Sequence, residues 1–276
     1  MEGLRGRIEK AAGFIRKKVD LKPDIAIILG TGLGGLADQI EEKQVIDYSK
    51  IPFFPVSTVK GHGGELVLGK IYNKKIVAMS GRFHYYEGYS LEQITFPIRV
   101  MRNLGARILI ESSASGAMNP QFKKGDVVVI TDQINFTGLN PLIGPNDDKL
   151  GTRFPDMSEP YDRKLIRLTE EIALEEKIAL DRAVYIGVTG PNLETAAEYR
   201  FFRSIGADII GMSTVLEVIV AIHAGLKVLG MSCVTDMCLP DQLSPTSFEE
   251  ILASARQAEP KLTKIVLKLI QRINEL

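Results

Sequence analysis

Residues 24–35 read DIAIILGTGLGG, an apolar run followed by a cluster of glycines, and this stretch decides the fold. Asp24 to Leu29 is short and nearly continuous in apolar residues, which is typical of a β-strand covered on both faces. Gly30 to Gly35 is then a tight turn that leads out of the strand. Covered strands of this kind belong to sheets flanked by helices, so the stretch favours an α/β protein.

The glycine turn allows three interpretations. Gly30, Gly32 and Gly35 match the dinucleotide-binding pattern G-x-G-x-x-G. That pattern also requires an acidic residue at the end of a second strand about 20 residues further on. Asp47 lies near that distance, but the residues around it do not resemble a parallel strand. The glycines can instead only permit tight geometry, or they can cradle an anion with backbone N–H groups and the Thr31 hydroxyl.

Strands and helices alternate outward from this stretch to both ends of the chain. Further strands are predicted at 65–71, 75–79, 107–111, 126–131, 183–189, 208–212 and 227–234. Helices are predicted at 4–15, 91–104, 161–176, 195–204 and 214–224, and a last helical region starts at Ser247, where Pro260 is expected to break or kink it. We therefore expect one α/β domain over residues 1–276, with a long functional loop at 140–157.

Composition excludes several classes of protein. The 276 residues are 45% hydrophobic, and 34 basic side chains balance 34 acidic ones, so we expect neither disorder nor a nucleic-acid footprint. No apolar segment is long enough to span a membrane, and the N-terminus does not resemble a signal peptide. Cys233 and Cys238 are interpreted as small core residues, and no cluster has zinc-site spacing, so we expect a cytoplasmic protein without metal.

Three side chains alternate in the segment Gly81-Arg82-Phe83-His84-Tyr85-Tyr86. If the segment is extended, Arg82, His84 and Tyr86 share one face, and the arginine and histidine would suit an oxyanion. The alternative is a surface strand with a solvated arginine and an ordinary histidine. His62 lies in a flexible glycine loop, whereas His223 lies in an apolar helix and is interpreted as structural.

Small residues follow the strand predicted at 107–111. Ser112 to Gly116 would lie where α/β sheets bind ligands, at the carboxyl ends of their strands, and backbone there can approach an anion closely. A simple turn explains the same residues equally well.

Taken together, these segments resemble the trimeric purine nucleoside phosphorylase family, which includes the methylthioadenosine phosphorylases. The resemblance runs from Asp24 into the C-terminal helix. The motifs that carry it, in chain order, are ILGTGLGG at 28–35, GHGG at 61–64, GRFHYYEGY at 81–89, NPLIGPND at 140–147, RFPDMS at 153–158, GPNLETAAE at 190–198 and GMSTVLEV at 211–218.

The resemblance implies one domain around a mixed, distorted sheet flanked by helices, and an active site with three parts. The implied phosphate site consists of Thr31, His62, Arg82, His84, the backbone at Ala114 and Ser213, with Thr31 where the family usually has serine. The implied ribose contacts are Tyr86, Met212, Phe248 and, from a neighbouring subunit of a homotrimer, Phe154. The implied base contacts are Leu193, Glu194 and Asp236, with Leu193 at a position that is often phenylalanine.

The implied reaction is the cleavage of a purine nucleoside by phosphate, which yields a free base and ribose 1-phosphate. Positive charge develops on the ribose and negative charge on the purine, and preorganised groups stabilise both. Asp236, Glu194 and His84 are the implied catalytic residues. Phosphate is a co-substrate, and no metal or organic cofactor is implied.

Asp236 departs from the pattern of guanosine- and inosine-cleaving members, which have asparagine there. An asparagine amide can donate a hydrogen bond to a 6-oxopurine, whereas an ionised aspartate only accepts, which suits the exocyclic amine of adenine. We therefore hypothesise that Asp236 is the general acid and admits 6-aminopurines, as in the methylthioadenosine phosphorylases.

Two other positions bear on the substrate. Phe248 aligns with a histidine that binds the ribose 5′-hydroxyl, and an apolar 5′ group would suit phenylalanine better. Glu194 supports the opposite preference, because it accepts the N1–H of inosine or guanosine and adenine has no proton there. The base preference therefore stays open. An NAD-dependent oxidoreductase and a catalytically silent nucleoside-binding protein are the hypotheses from other classes.

Overall fold

Nine strands form the centre of the molecule in a computed structural model that describes residues 3–30, 34–56 and 64–275. The strands are β1 (Ile25–Leu29), β2 (Glu41–Asp47), β3 (Glu65–Ile71), β4 (Lys74–Ser80), β5 (Ile108–Ala117), β6 (Val127–Asn135), β7 (Leu180–Gly187), β8 (Ile209–Gly211) and β9 (Lys227–Met237). The helices are α1 (Leu4–Lys18), α2 (Leu91–Leu104), α3 (Arg163–Glu175), α4 (Ala196–Ser204), α5 (Val215–His223) and α6 (Phe248–Arg272).

The strands form one mixed sheet in the order β2-β3-β4-β1-β5-β8-β7-β6-β9. An additional pairing of β5 with β9 closes the last five strands into a ring. β1 is parallel to β4 and β5, and β5 is parallel to β9, while β2, β3 and β4 pair antiparallel. This topology confirms the expected α/β fold with a mixed, distorted sheet flanked by helices.

The position of β2 in the sheet argues against the dinucleotide-binding interpretation of the glycine turn after β1. A dinucleotide fold would place the next strand parallel to β1, but β2 pairs antiparallel with β3 at the far edge of the sheet. The turn therefore lacks the second half of the cofactor pattern. Gly34 and Gly35 begin a short 3₁₀ helix, and Thr31 lies outside the described residues.

β5 is longer than the sequence predicts, so the interpretation of Ser112 to Gly116 as a turn is wrong. The strand continues through Ala117 because its hydroxyl groups find partners inside the sheet. Ser113 Oγ donates to Ser232 Oγ at 3.0 Å, and Ser115 Oγ lies 2.7 Å from the same atom. Paired hydroxyls of this kind make a polar strand end compatible with burial.

The break that the sequence allows at Pro260 does not occur, because α6 runs continuously from Phe248 to Arg272. The Ser247 hydroxyl accepts the Glu250 N–H at 3.2 Å and caps the helix as the sequence predicts. Apolar residues on both sides of the proline, among them Ala258 and Leu262, are fully buried. Their packing outweighs the one backbone hydrogen bond that a proline removes.

The remaining structural predictions concern single residues. His223 is confirmed as structural, with Nδ1 3.1 Å from Arg99 and Nε2 3.3 Å from Asn146. Cys233 and Cys238 are buried and unlinked. Among the described residues, no helix combines the length and apolar character that a membrane crossing requires.

Candidate active site

A cavity of about 370 Å³ opens where the parallel strands β1, β4, β5 and β9 end. Loops after these strands, the loop after β8 and the start of α6 supply its walls. The structure brings together most of the site residues that the sequence predicts: Arg82, His84, Tyr86, Ala114, Leu193, Glu194, Met212, Ser213, Asp236 and Phe248. Thr31 and His62 lie outside the described residues, and Phe154 lines a different cavity.

Arg82 is the cation of this cavity and is only 2% exposed. Its Nη2 donates to Glu111 Oε1 at 2.6 Å, its Nη1 donates to Ser213 Oγ at 2.7 Å, and its Nε lies 3.4 Å from Glu217 Oε1. These three contacts hold the guanidinium in one orientation at the cavity wall. A fixed fork of N–H donors is suited to an oxyanion.

The two carboxylates around Arg82 affect its pKa, and each other's. Burial by itself would lower the pKa of Arg82, but Glu217 and Glu111 outweigh that effect and raise it. Burial, and then the neighbouring Glu217, raise the pKa of Glu111 well above its usual value. Burial and the neighbouring carboxylate therefore both disfavour the charged form of Glu111.

Ser213 lies beside Arg82 and directly before α5. Glu217 Oε2 accepts the Thr214 N–H at 2.7 Å, which ties the start of this helix to the arginine. Thr214 has a φ of +67°, a backbone conformation that β-branched residues rarely adopt and that is typical of functional sites. The N-terminal end of α5 therefore faces the cation end of the cavity, where a helix attracts anions.

His84 completes the anion end of the cavity. Glu87 Oε1 accepts the His84 backbone N–H at 2.8 Å and lies 3.0 Å from Nδ1 of the same residue. The His84 ring stacks on Tyr86, with centroids 4.7 Å apart and an interplanar angle of 13°. His84 and Tyr86 thus share a wall as predicted, although Tyr86 lies in a 3₁₀ turn and not in an extended strand.

Two carboxylates mark the opposite end of the cavity. Asp236 lies near the end of β9 and is 9% exposed, and Thr235 Oγ1 donates to its Oδ1 at 2.8 Å. Burial raises the pKa of Glu194, while a hydrogen bond with Tyr199 opposes this change. Leu193, next to Glu194, is 48% exposed and lines the same end. This end can accept hydrogen bonds from a flat polar ring.

Gly116 of β5 faces Asp236 across the strand pairing and permits a close approach. A Cβ atom at Gly116 would lie 3.0 Å from Asp236 Oδ2 and would overlap Cys238 Sγ. The absence of a side chain at this position is therefore what lets the acidic group pack against β5.

Less polar residues separate the two ends. Tyr86 and Met212 line the middle of the cavity, and Phe248, at the first turn of α6, covers it while remaining 51% exposed. Burial raises the pKa of Tyr86 to about 12, so its hydroxyl is neutral at physiological pH. This middle section suits a ligand part that is neither strongly charged nor aromatic.

Phe154 lies apart from this cavity. It is 83% exposed and lines a second cavity of about 490 Å³ together with Asn140, Ile143 and Arg153. Ile143 is 82% exposed, so two large apolar side chains of the predicted functional loop protrude together.

Five further residues lie around the cavity, and the sequence alone predicts no role in the site for them. Glu111 and Glu217 contact Arg82, Glu87 contacts His84, and Tyr199 and Cys238 lie behind Glu194 and Asp236. The spacing of Thr214 and Glu217 predicts a helix cap but not the contact with Arg82. Glu111 is a single charged residue at the end of an apolar run, and in the sequence this is the sign of a buried ionic contact.

With the cation and helix start at one end and two carboxylates at the other, the cavity is that of an α/β protein suited to bind an anion beside a polar ring. The family model described as the phosphorylase superfamily matches residues 24–271. Purine nucleoside phosphorylase 1 of Bacillus subtilis (strain 168) is 49% identical over 267 residues, which cover 97% of this chain and 98% of that protein.

Solved structures agree with these matches. Isoform 2 of purine nucleoside phosphorylase from Schistosoma mansoni, in complex with cytosine and ribose-1-phosphate, has a TM-score of 0.93 at 42% identity and covers 97% of this chain and 96% of its own. A Schistosoma mansoni purine nucleoside phosphorylase in complex with adenosine has a TM-score of 0.92 at 40% identity, covering 97% of each chain. The chain therefore belongs to the phosphorylase superfamily and, within it, to the purine nucleoside phosphorylases.

Proposed function

We propose that this protein cleaves purine nucleosides with inorganic phosphate and releases a purine base and ribose 1-phosphate. The observation that carries the proposal is that one cavity joins a buried, fixed arginine to a pair of carboxylates at its other end. A purine nucleoside with phosphate beside its sugar has an anion that matches the arginine end of the cavity. Its base, with N–H donors, matches the carboxylate end. The similar proteins named above support the same reaction.

The phosphate is assigned to the end that contains Arg82, His84, Ser213 and the backbone at Ala114. Arg82 supplies charge in a fixed orientation, and the N-terminal end of α5 adds a partial positive charge. Thr31 and His62 belong to this proposed site through the family resemblance alone. Phosphate held here is the nucleophile and also stabilises positive charge on the ribose.

The ribose is assigned to the middle section with Tyr86, Met212 and Phe248. Phosphate oxygen forms a bond with C1′ while the bond from C1′ to purine N9 breaks and its electron pair moves into the base. Tyr86 is neutral and in contact with His84, so it can hydrogen-bond to the sugar without adding charge. Phe248 places an apolar ring where the 5′ group would lie.

The base is assigned to Leu193, Glu194 and Asp236. Asp236 accepts a hydrogen bond from an exocyclic 6-amino group and, once it has taken a proton from solvent, gives that proton to N7 as the base leaves. Glu194 contacts N1, and Leu193 covers the ring. The reaction needs phosphate as co-substrate and, we propose, no metal or organic cofactor.

A second candidate is the phosphorolysis of 5′-methylthioadenosine or a preference for adenosine. Two observations favour it: the Asp236 carboxylate, which accepts hydrogen bonds, and the apolar, half-exposed ring of Phe248. Glu194 favours 6-oxopurines when it is ionised, so the two carboxylates support different bases.

The proposed active unit is a homotrimer. Phe154 and Ile143 protrude from a loop on a surface that the chain itself does not cover. We propose that Phe154 reaches the ribose site of a neighbouring subunit, which would explain why it does not line the cavity of its own chain.

The test is release of base from inosine, guanosine, adenosine and methylthioadenosine, each measured with and without phosphate. We expect phosphate-dependent release from at least one substrate and its loss in Arg82→Ala. The control is Arg167→Ala, which changes an exposed arginine on α3 and should leave activity unchanged. Release without phosphate, or none from any substrate, contradicts the proposal.

A further inference from the structure

A buried thiol contacts one of the two carboxylates at the base end of the cavity. Cys238 Sγ donates to Asp236 Oδ2 at 3.1 Å. Cys238 is 1% exposed, so water does not replace this contact readily. The other carboxylate, that of Glu194, lines the same end of the cavity.

The local backbone explains why the thiol reaches the carboxylate. Asp236 and Cys238 are two residues apart at the end of β9, so their side chains point to the same face. The Cys238 N–H donates to the Ala117 carbonyl at 2.7 Å, which holds it against β5. Gly116 leaves the space that both side chains occupy.

The Cys238 thiol keeps its proton at neutral pH. Burial, and then the nearby charge of Asp236, raise its pKa. A thiol that keeps its proton can donate one hydrogen bond.

Asp236 is consequently held from both sides. Thr235 donates to Oδ1 and Cys238 donates to Oδ2, so the carboxyl plane is fixed and each oxygen still has acceptor capacity. A group presented in this way selects a ligand that brings an N–H donor. The exocyclic amine of a 6-aminopurine is such a donor, whereas the O6 of a 6-oxopurine is an acceptor.

We propose that Cys238 is a positioning residue for base selectivity and fixes Asp236 toward 6-aminopurines. This inference rests on the proposed function, because it concerns the same base site. A residue that merely fills space would affect 6-aminopurines and 6-oxopurines equally.

The competing explanation for Cys238 is packing. Its side chain belongs to a small buried cluster that includes Met118, Ile186 and Ile210. Cys238→Val keeps an apolar side chain of similar size and removes the donor, whereas Cys238→Ser keeps the donor and removes most of the apolar character. The two variants therefore separate packing from hydrogen bonding.

The experiment measures kcat/KM for adenosine and inosine in the wild type and both Cys238 variants. We expect Cys238→Val to lower the adenosine to inosine ratio by about tenfold, the effect of losing one hydrogen bond to a charged group. Cys238→Ser should stay within about threefold of the wild-type ratio, because a hydroxyl replaces the lost donor. An unchanged ratio in Cys238→Val, or an equal shift in both variants, overturns the inference.

Binding of adenine and hypoxanthine, measured by calorimetry, supplies a test without turnover. Cys238→Val should weaken the binding of adenine more than that of hypoxanthine, and equal losses for both bases overturn the inference. A wild type that cleaves neither nucleoside contradicts the proposed function instead.

Discussion

The guanidinium of Arg82 lies between two buried carboxylates. This arrangement requires three charged groups to leave water, and it fixes the orientation of the arginine. Removing charges from water is unfavourable unless they are paired and hydrogen-bonded, and Glu111, Glu217 and Ser213 provide that pairing. The same partners prevent the arginine from choosing another orientation. The proposed phosphate therefore meets a cation that does not need to reorganise.

Glu111→Gln tests whether this carboxyl group is protonated. If the raised pKa leaves Glu111 protonated, glutamine should preserve its contact with Arg82 and keep the KM for phosphate within about threefold. Glu111→Leu removes the acceptor and should raise that KM by at least about tenfold. Steady-state kinetics with varied phosphate checks both. If glutamine is as harmful as leucine, the ionised form of Glu111 is required.

Glu194 gives the site a pH dependence. Its pKa is raised, so it takes up a proton at a higher pH than an exposed glutamate does, and protonation removes its ability to accept N1–H. We expect the KM for inosine to rise as pH falls through the raised pKa. KM measured across pH in the wild type and Glu194→Gln checks this. A Glu194→Gln profile with the same slope would show that another group titrates.

For single residues, the sequence predicted which side chains belong to the site better than it predicted which side chains contact one another. Arg82, His84 and Glu194 occur in motifs, and the structure places all three around one cavity. Glu111 and Cys238 occur in no such motif, because their partners lie on other parts of the chain and meet only after folding. Cys238 was interpreted as core, which its burial supports but which omits its contact with Asp236.

Among the secondary-structure elements, β5 and β9 matter most for the site because their paired ends carry Gly116 and Asp236. We expect Gly116→Ala to reduce activity by at least about tenfold, because the added methyl displaces Asp236 and overpacks the interior. The measurement is kcat/KM for the preferred nucleoside.

Gly13→Ala is the matched control for that substitution. Gly13 lies in α1 with open space around its Cβ position, so alanine should leave activity unchanged and stabilise the helix by about 0.5–1 kcal/mol. Thermal unfolding checks the gain in stability. Equal losses of activity in Gly116→Ala and Gly13→Ala would exclude a specific role for the close approach.

The starts of elements were more predictable than their ends. Capping patterns at Thr214 and Ser247 give the starts of α5 and α6, because the signal is local. The end of β5 depends on hydroxyl pairs with Ser232, more than a hundred residues away, and no local pattern contains that information. The same reasoning applies to Pro260, whose helix is maintained by packing against the sheet.

For the whole molecule, the proposed trimer predicts complementation between an impaired variant and an inactive one. Phe154→Ala should raise the KM for nucleoside by about tenfold, on the scale of losing one buried aromatic contact. Mixed trimers of Phe154→Ala with Arg82→Ala should recover activity, because an Arg82→Ala subunit can lend its Phe154 to an intact neighbouring site. Subunits co-refolded and assayed at equal total protein check this. No recovery in confirmed mixed trimers contradicts the shared site.

The closed ring of strands has a consequence for how the protein behaves at high concentration. Because β9 pairs with β5 as well as β6, β2 is the strand within the described residues that has a single neighbour. Its free side begins with Glu41, Glu42 and Lys43, all exposed. Charged side chains along an open strand discourage backbone pairing with other molecules. The molecule thus limits its exposure to strand-by-strand aggregation to one edge and protects that edge with charge.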